Sequence, residues 1–345
     1  TTEIYTLSLH DALPICVMKR TMPPRKRRIA DTDAPAPHAC RLQGLVAAVH
    51  TPFHRDGSLN LKPVERQATH LLANGITLAF VGGSTGECHS LSLDERRALT
   101  ERWLTVARGS ALKVVVHVGS NCLTDARSLA AHAAAAGALA ISALAPSYFK
   151  PRSLDALIDG CSHIATAAPA TPFYFYDIPA LTGVSFSMPA FLAQAPARIP
   201  NLAGLKFTNP DLMAYLQCLE ADHGRWDVPW GIDEWLLGAL ATGAHGAVGS
   251  SYNFAAPLYH QLLAAFARGD LPAARAAQHR STQLIDLLAR YGYMGAAKAT
   301  LGLLGVDVGP ARLPHTNPTA VERRSLAREL EALGFFDWIR DRFPE

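Results

Sequence analysis

The sequence predicts an α/β fold, a (β/α)8 barrel followed by a three-helix C-terminal extension, on three observations. Short, nearly continuous apolar runs alternate eight times with amphipathic segments between residues 45 and 268. Continuous apolar strands of this kind belong to parallel sheets buried on both faces, with helices as the crossovers. The eight units occupy about 225 residues, close to the usual ~250 of such barrels. Polar and ionisable residues stand after the C-terminal ends of at least five of the predicted strands, where a barrel keeps its chemistry.

The first strand is placed at 45–53, with a helical segment over 61–74. Strand two, 78–83, precedes a helix over 94–108, with Ser92 available as a cap ahead of an acidic first turn. Strand three, 113–119, leads to an alanine-rich helix over 125–136. Strand four (138–144) is followed by helix 154–166, strand five (172–178) by 189–195, and strand six (202–208) by 211–221. Strand seven is placed at 228–232 with 234–242 behind it, and strand eight at 246–250 with 257–268. The barrel thus spans 44–268, and helices over 272–291, 295–304 and 318–335 make up the extension, 269–345. An open, doubly wound sheet is the alternative, but Thr51-Pro52-Phe53-His54 after the first strand is not the glycine-rich loop that fold normally carries.

Composition narrows the partners. The 345 residues are 49% hydrophobic and 18% charged, which suits an ordinary globular core. The formal net charge is only +3, and Arg25-Lys26-Arg27-Arg28 accounts for it, so the folded part has no basic surface implying a nucleic acid. The six cysteines are scattered without CxxC-type spacing, which fits a reduced cytoplasmic setting. No apolar run reaches the roughly 18 residues of a membrane span. Residues 1–43 are set apart from the fold: 1–17 read as translated non-coding sequence ahead of Met18 or Met22, and 22–43 as a disordered, charged lead-in.

Lys206 is the focal residue. It lies in Asn201-Leu202-Ala203-Gly204-Leu205-Lys206-Phe207-Thr208, a buried-strand pattern between Pro200 and Pro210. Lysine there reads either as an amine nucleophile for carbonyl compounds or as a snorkelling strand-end charge. Period-two alternation puts Gly204, Lys206 and Thr208 on the inner face, glycine leaving space beneath the amine, and favours the nucleophile. Gly82-Gly83-Ser84-Thr85-Gly86-Glu87 follows strand two and offers converging amides and hydroxyls to an anion. Tyr176 ends strand five, where a phenol can relay protons or merely sit at a rim. Asp233 and Glu234 end strand seven and Ser250 ends strand eight; Tyr148 lies in an aromatic loop after strand four. His117, inside strand three, reads as a satisfied core residue rather than a metal ligand.

Five motifs in order resemble the N-acetylneuraminate lyase and dihydrodipicolinate synthase family of class I, Schiff-base pyruvate aldolases. They are 82–87, Tyr-x-Ile-Pro-Ala-Leu-Thr-Gly at 176–183, Gly-Leu-Lys-Phe-Thr at 204–208, Gly-x-Asp-Glu at 231–234, and 246–253. The resemblance covers about residues 44–314. It implies that Lys206 forms the Schiff base with a 2-keto acid, that Ser84 and Thr85 hold its carboxylate, and that Tyr176 moves the proton of carbon–carbon cleavage. It further implies that Thr208, Gly231, Asp233, Glu234 and Ser250 hold a polyhydroxyl tail, that no metal or other cofactor takes part, and that the protein is a homotetramer in which Tyr148 reaches a neighbouring subunit. Leu181 stands where dihydrodipicolinate synthases usually carry an arginine for a second carboxylate, which points to the sialic-acid lyases. Asp177 departs from the histidine or asparagine more usual in those lyases and is expected to face out of the pocket. Asp233 and Glu234 are expected to sit away from Lys206, since nearby carboxylates would hold its proton on. Another aldolase or hydro-lyase of the family, and a non-catalytic keto-acid sensor, are the rival functions.

Overall fold

The computed structural model describes residues 41–340, so the expectations for residues 1–40 lie outside the described residues. Seven parallel strands form one sheet: β1 (Gly44–Ala48), β2 (Leu78–Val81), β3 (Lys113–His117), β4 (Ala140–Leu144), β5 (Phe173–Asp177), β6 (Leu202–Phe207) and β7 (Gly246–Gly249). Their spatial order is β6-β5-β4-β3-β2-β1-β7. The predicted strand at 228–232 is not a regular strand. Pro229 has no N–H to give a ladder, and residues 227–230 instead make isolated bridges to Gly204 and Phe207 on one side and Ala247 on the other. Those bridges complete the ring: Phe207 N donates to Pro229 O at 2.9 Å, and Val248 N to Trp230 O at 2.7 Å.

Alternation along the strands sorts side chains into two cores. Ala47, Ala79, Val114, Ile141, Phe175, Leu205 and Phe207 point outward into a layer shared with the helices. Val46, Phe80, Val115, Tyr174 and Val248 fill the barrel interior. Each fully buried Val, Leu or Phe contributes about 1.5–3 kcal/mol, so a strand buried on both faces is held by its whole length. The helices follow the expected positions, among them Leu93–Ala107, Leu154–Ala165 and Leu212–Glu220. Ser92 caps the first of these in a capping box with Glu95. The helix after β7 starts earlier than expected, at Tyr252, and carries Pro257 inside it. The extension comprises Leu271–Arg290, Tyr293–Leu303 and Ala320–Leu333, with a further short turn at Phe335–Trp338.

Two expectations need correction. Leu42, placed in the lead-in, is 1% exposed and belongs to the barrel interior. Its amide donates to Asp227 Oδ2 at 2.7 Å, which also accepts from the Tyr174 hydroxyl at 2.7 Å, and this anchors the chain at the barrel floor. Gly204 does not leave space beneath the lysine. The β5–β6 register slips by one residue, pairing Phe173 with Leu202 but Tyr174 with Gly204, and the skipped Ala203 takes the interior place. A side chain on Gly204 would put its Cβ 1.7 Å from Asp227 O. Glycine is required there by the close approach of backbone at a bulge.

Gly204→Ala is therefore expected to destabilise the protein at the upper end of the ~1–3 kcal/mol typical of overpacking, because backbone cannot move aside as a side chain can. Urea unfolding measures it, and an unchanged midpoint would refute the close approach.

Candidate active site

The C-terminal ends of the strands surround a cavity of about 530 Å³, within the range of small-molecule sites. Ser84, Thr85, Tyr176, Lys206, Thr208, Gly231, Asp233, Glu234 and Ser250 all line it. Tyr148 does not: it is 79% exposed and stacks edge-on with Phe149, which is 86% exposed. Leu181 is on the wall, so no arginine reaches the cavity from that position.

Lys206 is 4% exposed, and its Nζ lies 4.2 Å from the Phe80 ring centre and 4.0 Å from that of Tyr176. Burial pushes its pKa down from 10.5 to about 7, against the opposing pull of Asp233 and Cys88. Asp233 therefore acts on Lys206 electrostatically. Desolvation outweighs the attraction. Burial likewise raises Tyr176 to about 12, so at neutral pH it is a phenol. Its hydroxyl lies 3.4 Å from Ser84 Oγ.

The loop after β2 is shaped by its backbone. Gly82 has φ +66° and Glu87 φ +56°, and a Cβ on Gly86 would meet Gly82 Cα at 2.9 Å. Thr51 Oγ1 donates to Gly86 O at 2.6 Å. Among the described residues no backbone carbonyl accepts from the Ser84 or Thr85 amide, so both N–H groups can turn to an anion. The loop is gripped at each end. Glu87 Oε1 lies 2.5 Å from the buried Lys298 ammonium, and its Oε2 accepts from Arg312 N at 2.7 Å. At the other end His117 Nδ1 is 3.0 Å from Gly82 O, while its Nε2 is 3.3 Å from the Leu144 amide. That pattern puts the ring proton on Nδ1, and burial holds the ring well below its usual pKa. His117 is a satisfied core residue, as expected.

On the far side, close side chains select glycine twice. A Cβ on Gly231 would stand 1.8 Å from Thr208 Oγ1, and one on Gly249 1.9 Å from Asp233 Oδ1. Thr208 Oγ1 is buried with no hydrogen-bond partner among the described residues. Asp233 Oδ2 accepts from Ser251 N at 2.9 Å and Ser251 Oγ at 2.5 Å. Its pKa is nevertheless raised from 3.8 to about 6, chiefly by burial. Ser250 Oγ lies 2.6 Å from the Tyr293 hydroxyl.

Tyr293 belongs to the extension, as do Ile285, Met294 and His315, which also line the cavity. Sequence reasoning missed them, together with Cys88 and His89. The glycine before Tyr293 marks a helix start, but nothing local shows which wall that helix meets. Among the described residues, no group of three or more His, Cys, Asp or Glu is arranged to hold a metal ion.

Comparison with known proteins agrees with this geometry. The Dihydrodipicolinate synthetase family matches residues 41–333. The chain belongs to that family. Within it, the chain is 42% identical to N-acetylneuraminate lyase A of Xenopus laevis over 277 residues, 79% of this chain and 90% of that one. It is 39% identical to N-acetylneuraminate lyase of Rattus norvegicus over 302 residues, 86% of this chain and 94% of that one. The solved Proteus mirabilis N-acetylneuraminate lyase superposes with TM-score 0.83 at 39% identity, covering 86% of this chain and all of that one. A dihydrodipicolinate synthetase family structure from Cyanidioschyzon merolae, "DHDPS … with lysine bound", gives TM-score 0.78 at 28% identity, covering 85% of this chain and 98% of that one.

Asp177, next to Tyr176, faces away from the cavity of this family member, as alternation requires. It is only 3% exposed, however, and Asn209 Nδ2 at 3.2 Å is its hydrogen-bond donor. Burial raises its pKa from 3.8 to about 6. The folded state thus holds this proton more tightly than the unfolded one, and the associated stability, complete below pH 4, is lost as pH rises through 6. Asp177→Asn, which still accepts from Asn209, is expected to stabilise the protein by up to about 3 kcal/mol at pH 8 and not at pH 3.5. Denaturation midpoints at the two pH values check this; equal gains at both would disprove it.

Proposed function

We propose that the protein is a Schiff-base aldolase that cleaves N-acetylneuraminate reversibly to pyruvate and N-acetylmannosamine. The observation that carries this is Lys206, an amine brought near neutral poise at the base of a cavity with hydroxyl and amide donors on one wall and carboxylates on the other. The relatives named N-acetylneuraminate lyase support the choice of substrate, and Leu181 speaks against a second carboxylate on it.

In this mechanism neutral Lys206 attacks the keto carbon and water leaves, giving an iminium. Ser84 and Thr85 hold the adjacent carboxylate. The carbon–carbon bond beyond the methylene then breaks, its electron pair moving toward the iminium to give an enamine. The hydroxyl on the departing carbon becomes a carbonyl as it gives up its proton to Tyr176, which at a pKa of about 12 passes its own proton to the substrate side, where it serves to protonate the enamine carbon. Protonation of the enamine carbon and hydrolysis release pyruvate. Thr208, Gly231, Asp233, Glu234 and Ser250 hold the sugar-derived tail. The reaction requires no metal or other cofactor.

The same proposal places the protein in the cytoplasm as a homotetramer. The exposed Tyr148–Phe149 pair suits burial at a subunit contact, because two large adjacent rings in water are an unusual expense. No helix of the described residues is long and apolar enough to cross a membrane.

Pyruvate release from a panel of 2-keto acids tests the substrate: N-acetylneuraminate should be cleaved fastest, and preference for a 2-keto-3-deoxy sugar acid would replace this reading with the other aldolase activity. Borohydride with pyruvate should add one pyruvyl mass at Lys206, and Lys206→Ala should lose cleavage entirely; an unmodified lysine would falsify the Schiff base. Because the neutral amine is the nucleophile, initial trapping rates should rise with pH through about 7 and level off above it.

A further inference from the structure

Asp233 stands at the end of a buried row of hydroxyls that leads out of the barrel into the extension. Ser251 Oγ is 2.5 Å from Asp233 Oδ2, the Tyr259 hydroxyl is 2.6 Å from Ser251 Oγ, and Ser281 Oγ is 2.8 Å from the Tyr259 hydroxyl. Ser251, Tyr259 and Ser281 are all fully buried. Each hydroxyl has one proton, and an ionised carboxylate can only accept. Ser251 Oγ is placed to donate to either Asp233 Oδ2 or the Tyr259 hydroxyl; with Asp233 ionised its one proton goes to the carboxylate, and Tyr259 must then donate to Ser251 and accept from Ser281. Donors aligned in this way polarise one another toward the carboxylate.

The two oxygens of Asp233 are thereby made different. Oδ2 is occupied by Ser251 Oγ and the Ser251 amide. Oδ1 packs beside Gly249, where a Cβ would come within 1.9 Å, and has no hydrogen bond among the described residues. The same helix that carries Ser281, Leu271–Arg290, also fixes the backbone of this turn. Gln278 Nε2 donates to Asp233 O at 3.2 Å, and its Oε1 accepts from Leu237 N at 2.7 Å.

We propose that Tyr259 and Ser281 are positioning residues for substrate specificity: acting through Ser251, they hold Asp233 ionised and oriented, with Oδ1 turned to accept a hydrogen bond from a hydroxyl of the substrate tail. This rests on the aldolase reading for the identity of the substrate, but not for the state of Asp233. The groups facing Asp233 are Lys206 on β6, which favours its charge, and Glu234 on its own turn, which opposes it. Tyr176 on β5, Tyr252 and Tyr259 on the helix Tyr252–Ala267, and Tyr293 on Tyr293–Leu303 also interact with it; burial raises all four phenols, so they stay neutral. Donors to the charged form lower a carboxyl pKa. Breaking the row should raise it.

Tyr259→Phe removes one oxygen and leaves the ring that packs at 4.7 Å against Tyr252; Ser281→Ala interrupts the row one step further away. Two readouts are used on the full-length protein. In the first, carbon-13-labelled carboxyl resonances are titrated without substrate, with Asp233→Asn identifying the signal. Tyr259→Phe should move the Asp233 midpoint upward by about one pH unit and Ser281→Ala by less. A midpoint unchanged in both variants overturns the proposal whatever the enzyme's substrate proves to be. In the second, Tyr259→Phe should raise KM for N-acetylneuraminate about tenfold, the size expected for one weakened hydrogen bond to a charged group. Borohydride trapping of pyruvate on Lys206 should be unchanged at pH 9, where the amine is neutral in both proteins. An equal loss in both assays would mean a general packing defect and would also overturn it. Failure of the wild-type protein to cleave N-acetylneuraminate would remove only the substrate assignment, since the titration stands alone.

Discussion

Lys206 and Asp233 share one buried mouth, and their opposing demands constrain much of what surrounds them. An amine that is to attack a carbonyl must lose its proton near neutral pH, while a carboxylate close by favours keeping it. Burial settles the contest, moving the lysine from 10.5 to about 7 despite the acid. The Phe80 and Tyr176 rings meet edge to face beside Nζ, and their faces offset only a small part of the desolvation. Asp233 feels the same burial and is itself raised to about 6. Its hydroxyl donors therefore matter to both groups, because a carboxylate satisfied from behind has less need of the ammonium as a partner.

The extension is part of this arrangement. Lys298 and Arg312 grip Glu87, the last residue of the loop after β2, and Arg312 also makes a two-pronged contact with Glu95 and donates to Gly57 O and Ser90 O. A buried pair such as Glu87–Lys298 is poor evidence of net stability, since desolvating two charges offsets most of their attraction. What it does supply is a fixed geometry: Glu87 holds a left-handed backbone, which a non-glycine residue adopts only when its surroundings impose it. Arg96 does the corresponding work from inside the fold, donating to His117 O and Gly119 O at 2.8 Å while His117 reaches Gly82.

The barrel, its helices and most of the site were legible because each depends on short-range pattern. Apolar runs marked the strands, and alternation over 205–208 put Lys206 and Thr208 inward. The misreadings occurred where a distant backbone decides. Pro229 breaks the ladder of the seventh segment, yet tertiary bridges still hold it in the ring. Gly204 reads as a gap in sequence and is in fact a contact, because the bulge at Ala203 and the approach of Asp227 are properties of two strands together. Tyr259 and Ser281 carry no sequence signal at all, being a tyrosine and a serine inside amphipathic helices.

The two halves of the cavity are built by different means, and this separates their chemistry. The half around Lys206 comes from β2, β5 and β6, whose adjacent hydrogen-bonded or interior positions leave Phe80, Tyr176 and Lys206 little freedom. The opposite half comes from residues 231–234 and the start of the helix after β7, where 231–234 is held by one bond from Gly231 N to Phe207 O at 2.8 Å and otherwise by Gln278, Ser251 and close glycine contacts. A substitution in the supporting helix can therefore shift residues 231–234 while leaving the strand that bears Lys206 in place. Movement in the other direction is far more restricted, because the strand bearing Lys206 is packed on both faces and any shift of it displaces the wall that Thr208 presents to Gly231.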